Sequence, residues 1–169
     1  MNHIAENAAY PKEKDELYRL LLAQLKALTE GEREPMPNLA NASALLWQGM
    51  DQINWVGFYL NIGGELLLGP FQGKPACIHI PFDRGVCGAA ARERRTQRVE
   101  DVHLFPGHIA CDSASRSELV VPMVADGQLV GVLDIDSPSL ARFDPKDQAG
   151  CEAIAAHLAS ACDWQLILR

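Results

Sequence analysis

Apolar residues recur at helical spacing at both ends of the chain. In the first stretch they fall every three or four positions, at Leu17, Leu21, Leu25 and Leu28. This period predicts a helix over 11–29, and a second apolar stretch predicts another over 38–50. Near the other end, Asp144 followed by Pro145 is typical of a helix start, which predicts a long closing helix over 143–168.

The middle of the chain has the pattern of a β-sheet. Runs rich in β-branched, aromatic and aliphatic residues predict strands at 55–60, 66–68, 76–80, 118–124 and 129–135. Gly63-Gly64 and Asp126-Gly127 are hairpin turn signals. The remaining segments are predicted as a loop at 69–75, a short helix at 85–95 and an extended piece at 96–99.

Residues 101–117 stand apart because they show no periodicity and contain Pro106, Gly107 and several serines. They predict a loop of roughly 15 residues, and loops of that length in small domains tend to be functional.

Hairpins dominate this order of elements, so the fold class is predicted as α/β (α+β), with a central, mostly antiparallel sheet. One domain is expected over 1–169. Its helices lie at about 11–50 and about 144–168, and its sheet and catalytic loops at about 53–137. The terminal helices should cover one face of the sheet, and the loops should build a pocket on the other.

Charge and hydropathy narrow the functional classes. The formal net charge of −7 argues against nucleic acid as a partner, because binding its backbone needs a basic surface. No stretch approaches the ~20 apolar residues of a membrane helix, and the first ten residues lack the basic and apolar regions of a targeting signal. The expected location is the cytoplasm.

Five cysteines make an odd number, which suits a disulfide framework poorly. In a reducing compartment they would be packing residues, metal ligands or redox catalysts. Cys151 and Cys162 lie at helical spacing on the closing helix and are expected to be packing residues. Cys77, Cys87 and Cys111 fall in or beside glycine-rich turns.

Several motifs in the central part of the chain resemble the free methionine-(R)-sulfoxide reductases, a branch of the GAF-domain family. The matching segments are Asn54-Trp55-Val56-Gly57-Phe58-Tyr59, Leu68-Gly69-Pro70-Phe71-Gln72-Gly73, Gly85-Val86-Cys87-Gly88, 106–112 and 131–137. The resemblance implies a single GAF-type domain that reduces free L-methionine-R-sulfoxide. It also implies thioredoxin as external reductant, no bound cofactor and a homodimer.

The resemblance extends to individual residues. It implies that Glu118 and Asp136 assist the sulfoxide group and that Asp134 holds the substrate amine. It places Trp55 and Tyr59 at the thioether end of the substrate, where an aromatic wall suits a methyl–sulfur group.

The chemistry of the residues fits this activity. A thiolate is a suitable nucleophile for sulfur, and Cys111 lies on the long loop that could bring it to a substrate. A second thiol must then convert the sulfenic acid into a disulfide, which an external dithiol reduces. Cys77 and Cys87 are both candidates for this resolving thiol, and the resemblance favours Cys77.

An acid is needed where the sulfoxide oxygen leaves as water. Asp134 and Asp136 should point to the same face of their strand, and carboxylates held close together repel, which raises the pKa of one of them. Glu118 is the third acid of the region. Without the resemblance, all three would be interpreted as strand-end or turn charges.

Three alternatives stay open. Cys77, Cys87, His108 and Cys111 could ligate a metal, but no Cys-x-x-Cys pair is present, and no metal is expected. A GAF module could sense a small molecule without turnover, although such sensors are usually joined to an output domain. A thiol redox switch could form the Cys77–Cys111 disulfide without a dedicated substrate, but it would have no use for the clustered acids.

Overall fold

The computed structural model describes residues 9–108 and 113–168. The four helices are α1 Lys14–Leu28, α2 Pro35–Gly49, α3 Gly85–Glu93 and α4 Pro145–Ala161. The six strands are β1 Trp55–Ile62, β2 Glu65–Gly73, β3 His79–Pro81, β4 Gln97–Val99, β5 Ser117–Ala125 and β6 Gln128–Ser137. Two 3-10 turns lie at Val102–Leu104 and Trp164–Leu166.

The strands form a single sheet in the order β3-β2-β1-β6-β5-β4, and every neighbouring pair is antiparallel. The two predicted hairpins are confirmed. β1 turns into β2 at Gly63-Gly64, and β5 turns into β6 at Asp126-Gly127, where both turn residues have positive φ. Such turns match the twist of the strands that they join.

Side chains alternate between two cores, one on each face of the sheet. On one face, Val56, Phe58 and Leu60 of β1 pack with buried residues of α1, α2 and α4. On the other face, Trp55 and Tyr59 pack with residues of β2, β3 and α3. The terminal helices therefore cover one face, as predicted, and the face on the α3 side carries the pocket.

The start of α4 follows its sequence signal closely. The Asp144 side chain accepts from the backbone N–H of Asp147, whose own side chain accepts from the N–H of Asp144, and Pro145 occupies the first helical position. Such a capping box satisfies backbone donors that the first turn leaves unpaired. Among the described residues, no helix has the length and apolar character that crossing a bilayer requires.

The largest errors in the predicted boundaries concern β2 and α4, and the strand predicted at 76–80 is confined to His79–Pro81. The segment 69–75 was predicted as a loop, but β2 continues to Gly73, because Gln72 and Gly73 pair with Val56 and Trp55 of β1. Pairing with a buried neighbour outweighs the weak strand propensity of glycine and proline. A bulge between Gly57 and Tyr59 accommodates the irregular stretch.

The closing helix was predicted to reach 168, but it ends at Ala161. Cys162 is extended, and the backbone N–H of Asp163 donates to the carbonyl of Arg33 rather than to the helix. The buried Trp164 ring donates back to the carbonyl of Ala159. This tertiary anchoring turns the chain out of the helix.

Candidate active site

A pocket opens on the α3 side of the sheet. It brings together six of the eight residues predicted for the site: Trp55, Tyr59, Cys87, Glu118, Asp134 and Asp136. They come from β1, α3, β5 and β6, which the antiparallel order places side by side. The site is therefore built mainly on rigid strands rather than on loops.

The other two predicted site residues, Cys77 and Cys111, are not among the described residues that line the pocket. Cys77 lies outside the pocket lining, packs at the edge of the same core and is disulfide-bonded. Cys111 lies outside the described residues, so its prediction stays a prediction. The described residues on both sides of it, His108 and Ser115, line the pocket.

One wall of the pocket is aromatic. Trp55 stacks on Tyr59 with ring centroids 5.9 Å apart and on Phe71 at 5.2 Å. The Trp55 ring nitrogen donates to the carbonyl of Lys74 at 3.1 Å, and the Tyr59 hydroxyl donates to the carbonyl of Cys77 at 3.0 Å. These hydrogen bonds hold the segment that carries Cys77 against the aromatic wall. The wall itself presents an apolar surface, which makes favourable contacts with a thioether.

Glycines make room for this wall. A Cβ on Gly57 would lie 2.8 Å from the Trp55 ring and 2.3 Å from the Cβ of Phe71. Gly73 has a φ of +126°, and a Cβ there would lie 2.7 Å from Trp55. Both positions explain why glycine recurs in the motifs that flank the wall.

The acids form the floor of the pocket. Glu118 lies opposite Asp136 in the β5–β6 register, and Asp134 lies opposite Val120. Glu118 and Asp134 are buried, with 6% of each residue exposed. Asp136 is less buried than either.

Burial raises the pKa of Glu118 well above its ordinary value, and the charges of Asp134 and Asp136 raise it further. Burial also raises the pKa of Asp134, to about 6. Glu118 is thus the carboxyl that holds its proton most firmly at neutral pH, as expected for acids that share a buried site. The sequence argument attributed a raised pKa to repulsion between Asp134 and Asp136; in the structure the main cause is burial, and it acts on Glu118 and Asp134.

Cys87 faces the same acids. Its thiol lies 3.9 Å from Oε1 of Glu118 and is positioned to donate to it. Burial and the neighbouring charge of Asp134 raise the pKa of Cys87 well above its ordinary value. Cys87 is therefore a protonated thiol in this state, which makes it a poor nucleophile.

Among the polar residues of the pocket lining, Lys74 and Ser115 were missed by the sequence reasoning, and His108 was considered only as a metal ligand. Lys74 lies between the Leu68–Gly73 motif and Cys77, and His108 lies in the 106–112 motif three residues before Cys111, so closeness to those motifs was the available signal. Burial and the charge of His103 lower the pKa of His108. The Ser115 hydroxyl accepts from the side-chain amide of Asn54 at 3.1 Å.

The remaining cysteines lie away from the pocket. Cys151 and Cys162 are free thiols buried in the core beneath α1 and α2, the environment expected of packing residues. The metal set considered from the sequence is not available in this state, because Cys77 is disulfide-bonded. A different group, Cys87, Glu118 and Asp134, has its potential ligand atoms within 4.8 Å of one another.

Comparison with known proteins identifies a matching domain family and several similar proteins. The GAF domain family model matches residues 39–163. The chain is 55% identical over 150 residues to protein YtsP of Bacillus subtilis, covering 88% of this chain and 90% of that protein. It is 51% identical over 145 residues to the free methionine-R-sulfoxide reductase of Escherichia coli, covering 86% and 88%.

A solved structure agrees with these relatives. The free methionine-R-sulfoxide reductase of Neisseria meningitidis, solved in complex with its substrate, superposes with a TM-score of 0.89 at 43% identity. The match covers 94% of this chain and 96% of that chain. The chain therefore belongs to the GAF-domain family and, within it, to the free methionine-R-sulfoxide reductases.

Proposed function

We propose that this protein reduces free L-methionine-R-sulfoxide to L-methionine, with the thiol of Cys111 as the nucleophile. The observation that carries the proposal is the pocket itself. It joins an aromatic wall to a buried, protonated acid, and the segment that carries the disulfide-bonded Cys77 is tied to that wall. The relatives that share 51% and 43% of its residues bear the name of this enzyme.

The first step is attack on sulfur. The Cys111 sulfur bonds to the sulfoxide sulfur, and the sulfoxide oxygen takes up a proton from Glu118, assisted by Asp136. The oxygen is then transferred to the cysteine, which leaves a sulfenic acid on Cys111 and releases methionine. The sulfoxide sulfur gains two electrons and becomes the thioether of methionine, and the cysteine sulfur is oxidised by two electrons.

The second step removes the sulfenic acid. The thiol of Cys77 attacks it, a disulfide forms and water leaves. Cys87, Cys151 and Cys162 are free, whereas Cys77 is disulfide-bonded, and this supports a pairing of Cys77 with Cys111. The high pKa of Cys87 makes it a weaker attacking thiol, so we assign it the secondary role.

Substrate recognition divides between the wall and the floor. We assign the methyl–sulfur end to Trp55 and Tyr59, and the amine to Asp134. The Oδ1 atom of Asp134 is buried and has no hydrogen-bond partner among the described residues, so an incoming ammonium would satisfy it. An enclosed carboxylate that requires a free amine selects an amino acid over a residue within a polypeptide.

We further propose that thioredoxin reduces the disulfide. Ile78, directly after Cys77, is 60% exposed and gives a partner protein an apolar contact beside the sulfur. Three free thiols and a thioredoxin-dependent cycle together suit the cytoplasm, where we place the protein. For the homodimer that the family resemblance implies, the exposed Met36 and Trp47 on one side of α2 are candidate contacts.

The proposal is tested by NADPH consumption with thioredoxin and thioredoxin reductase. The R and S epimers of free L-methionine sulfoxide are supplied separately to wild type, to Cys111→Ser and to Cys151→Ser. Turnover of the R epimer alone, lost in Cys111→Ser and kept in Cys151→Ser, is the expected result. If neither epimer is turned over by folded, reduced wild type, the protein is not this reductase.

A further inference from the structure

Three side chains with metal-ligand atoms converge at the bottom of the pocket. Cys87 comes from α3, Glu118 from β5 and Asp134 from β6, and all three are buried. Their potential ligand atoms lie within 4.8 Å of one another, and the sulfur of Cys87 is 3.9 Å from Oε1 of Glu118.

The three ligand side chains are a thiol and two carboxyl groups, and the lining of the same pocket also holds the basic residues Lys74 and His108. The charged groups that act on Glu118 are Asp134 and Asp136, and both are acidic. Among the described residues, Oδ1 of Asp134 is buried and has no hydrogen-bond partner, although that residue is 94% buried. A buried carboxylate oxygen without a partner is costly, and a bound cation would satisfy it.

We propose that Cys87, Glu118 and Asp134 form a site for a thiophilic divalent cation such as Zn²⁺, and that the bound cation inhibits the enzyme. A sulfur and two carboxylate oxygens are ligands that Zn²⁺ accepts, whereas Mg²⁺ and Ca²⁺ prefer six or more oxygen ligands. Three protein ligands leave a fourth position open toward the pocket, as in zinc sites that exchange a ligand.

The spacing fits this assignment. Zinc–sulfur bonds of about 2.3 Å and zinc–oxygen bonds of about 2.1 Å in a tetrahedron put the ligand atoms about 3.4 to 3.6 Å apart. The observed 3.9 Å between the sulfur of Cys87 and Oε1 of Glu118 is only slightly longer. The separations that involve Asp134 extend up to 4.8 Å, so side-chain rotation must bring that carboxylate about 1 Å closer, and the entering cation would replace the protons on the thiol and on the acid.

Inhibition follows from the shared residues. Under the proposed function, Glu118 delivers the proton to the sulfoxide oxygen and Asp134 holds the substrate amine, so a cation on both would block both. Binding of the cation itself does not depend on the proposed function. The two ideas can therefore fail separately.

The test is a Zn²⁺ titration of the oxidised protein by isothermal calorimetry. In that state Cys77 is in a disulfide, and among the described residues Cys87 is the free thiol in the pocket lining. Binding of one ion per chain is expected, with affinity at least tenfold lower in Cys87→Ser and in Asp134→Asn, a loss of at least about 1.4 kcal/mol. Cys151→Ser, which removes a buried thiol outside the pocket, should bind as wild type does.

Two controls make the result specific. His103 and His108 lie with ring centroids 6.5 Å apart and offer a competing surface site, so His103→Ala should still bind one ion. Mg²⁺ should not compete, and free methionine sulfoxide should displace Zn²⁺. Absence of binding, or equal affinity in wild type, Cys87→Ser and Asp134→Asn, would overturn the site. If Zn²⁺ at concentrations that fill the calorimetric site leaves sulfoxide turnover unchanged, the inhibition is overturned, whereas absence of turnover without Zn²⁺ contradicts the proposed function instead.

Discussion

Replacing Asp134 with asparagine should stabilise the fold while it removes activity. Burial raises the pKa of Asp134 to about 6 from an ordinary value of 3.8. Each pKa unit corresponds to about 1.4 kcal/mol, so ionised Asp134 lowers the free energy of unfolding by about 3 kcal/mol. Asparagine has nearly the same shape and no charge to bury. It also removes a charge that raises the pKa of Glu118, which acts in the same direction.

The difference in stability between wild type and Asp134→Asn should depend on pH. Below about pH 4 the carboxyl of Asp134 is protonated in both the folded and the unfolded chain, so wild type and Asp134→Asn should be equally stable. Between about pH 4 and pH 6, only the unfolded chain releases its proton, and the stability of wild type falls relative to the variant. Above pH 6 the contribution of Asp134 itself should stay at about 3 kcal/mol, and the effect of its charge on Glu118 should add to it.

Urea denaturation followed by circular dichroism, below pH 4 and above pH 6, measures this difference, and the thioredoxin-coupled assay measures turnover. The matched control is Asp147→Asn. Asp147 is fully buried but accepts from Tyr18, Lys14 and Arg142. Removing its charge takes the ion pair from Arg142, whose side chain is 9% exposed, while Lys14 keeps its pair with Asp144, and should cost roughly 3 kcal/mol. If Asp134→Asn is less stable than wild type above pH 6, the claim that the buried charge of Asp134 destabilises the fold is refuted.

Three further variants probe the acid, the glycines and the aromatic wall. Glu118→Gln should lower kcat by about 10² to 10⁴, the usual contribution of a general acid. If Glu118→Gln keeps normal turnover, Glu118 is not the acid; if peroxide forms the disulfide equally in wild type and variant while neither reduces the sulfoxide, a thiol switch is the better account. Gly57→Ala should lower Tm by several degrees, because the new Cβ overlaps Phe71, and an unchanged Tm would contradict this packing. Trp55→Phe should raise KM for the sulfoxide more than it lowers kcat, since it removes part of the wall and the hydrogen bond to Lys74. An unchanged KM would place the substrate elsewhere.

Much of the fold could be predicted from the sequence because local signals agreed with the tertiary structure. The Asp144–Pro145 start of α4 and the Asp126-Gly127 turn are decided by residues within a few positions, and both are confirmed. The errors lie where distant partners decide. β2 extends through Gly69 and Pro70 because β1 lies beside it, and α4 stops because Asp163 bonds to Arg33.

The candidate site also has features that the local sequence predicts and features that depend on tertiary packing. Period-two alternation was enough to put Asp134 and Asp136 on one face of a strand. The pKa of Glu118 is raised partly because Asp134 and Asp136 lie close to it. That closeness depends on the pairing of β5 with β6, which could not be derived from the sequence. The closeness of Cys87 to Glu118 depends on how α3 packs over the sheet. For the same reason, the pocket positions of Lys74 and His108 became visible only in the folded chain.

The central claim is that one methionine is made for each disulfide formed through Cys111. A single-turnover experiment tests it most directly. Fully reduced protein is mixed with excess free L-methionine-R-sulfoxide in the absence of thioredoxin, methionine is quantified, and the disulfide is mapped by peptide mass spectrometry. The account predicts one methionine per chain and a disulfide between Cys77 and Cys111. No methionine, or methionine formed without that disulfide, would contradict it.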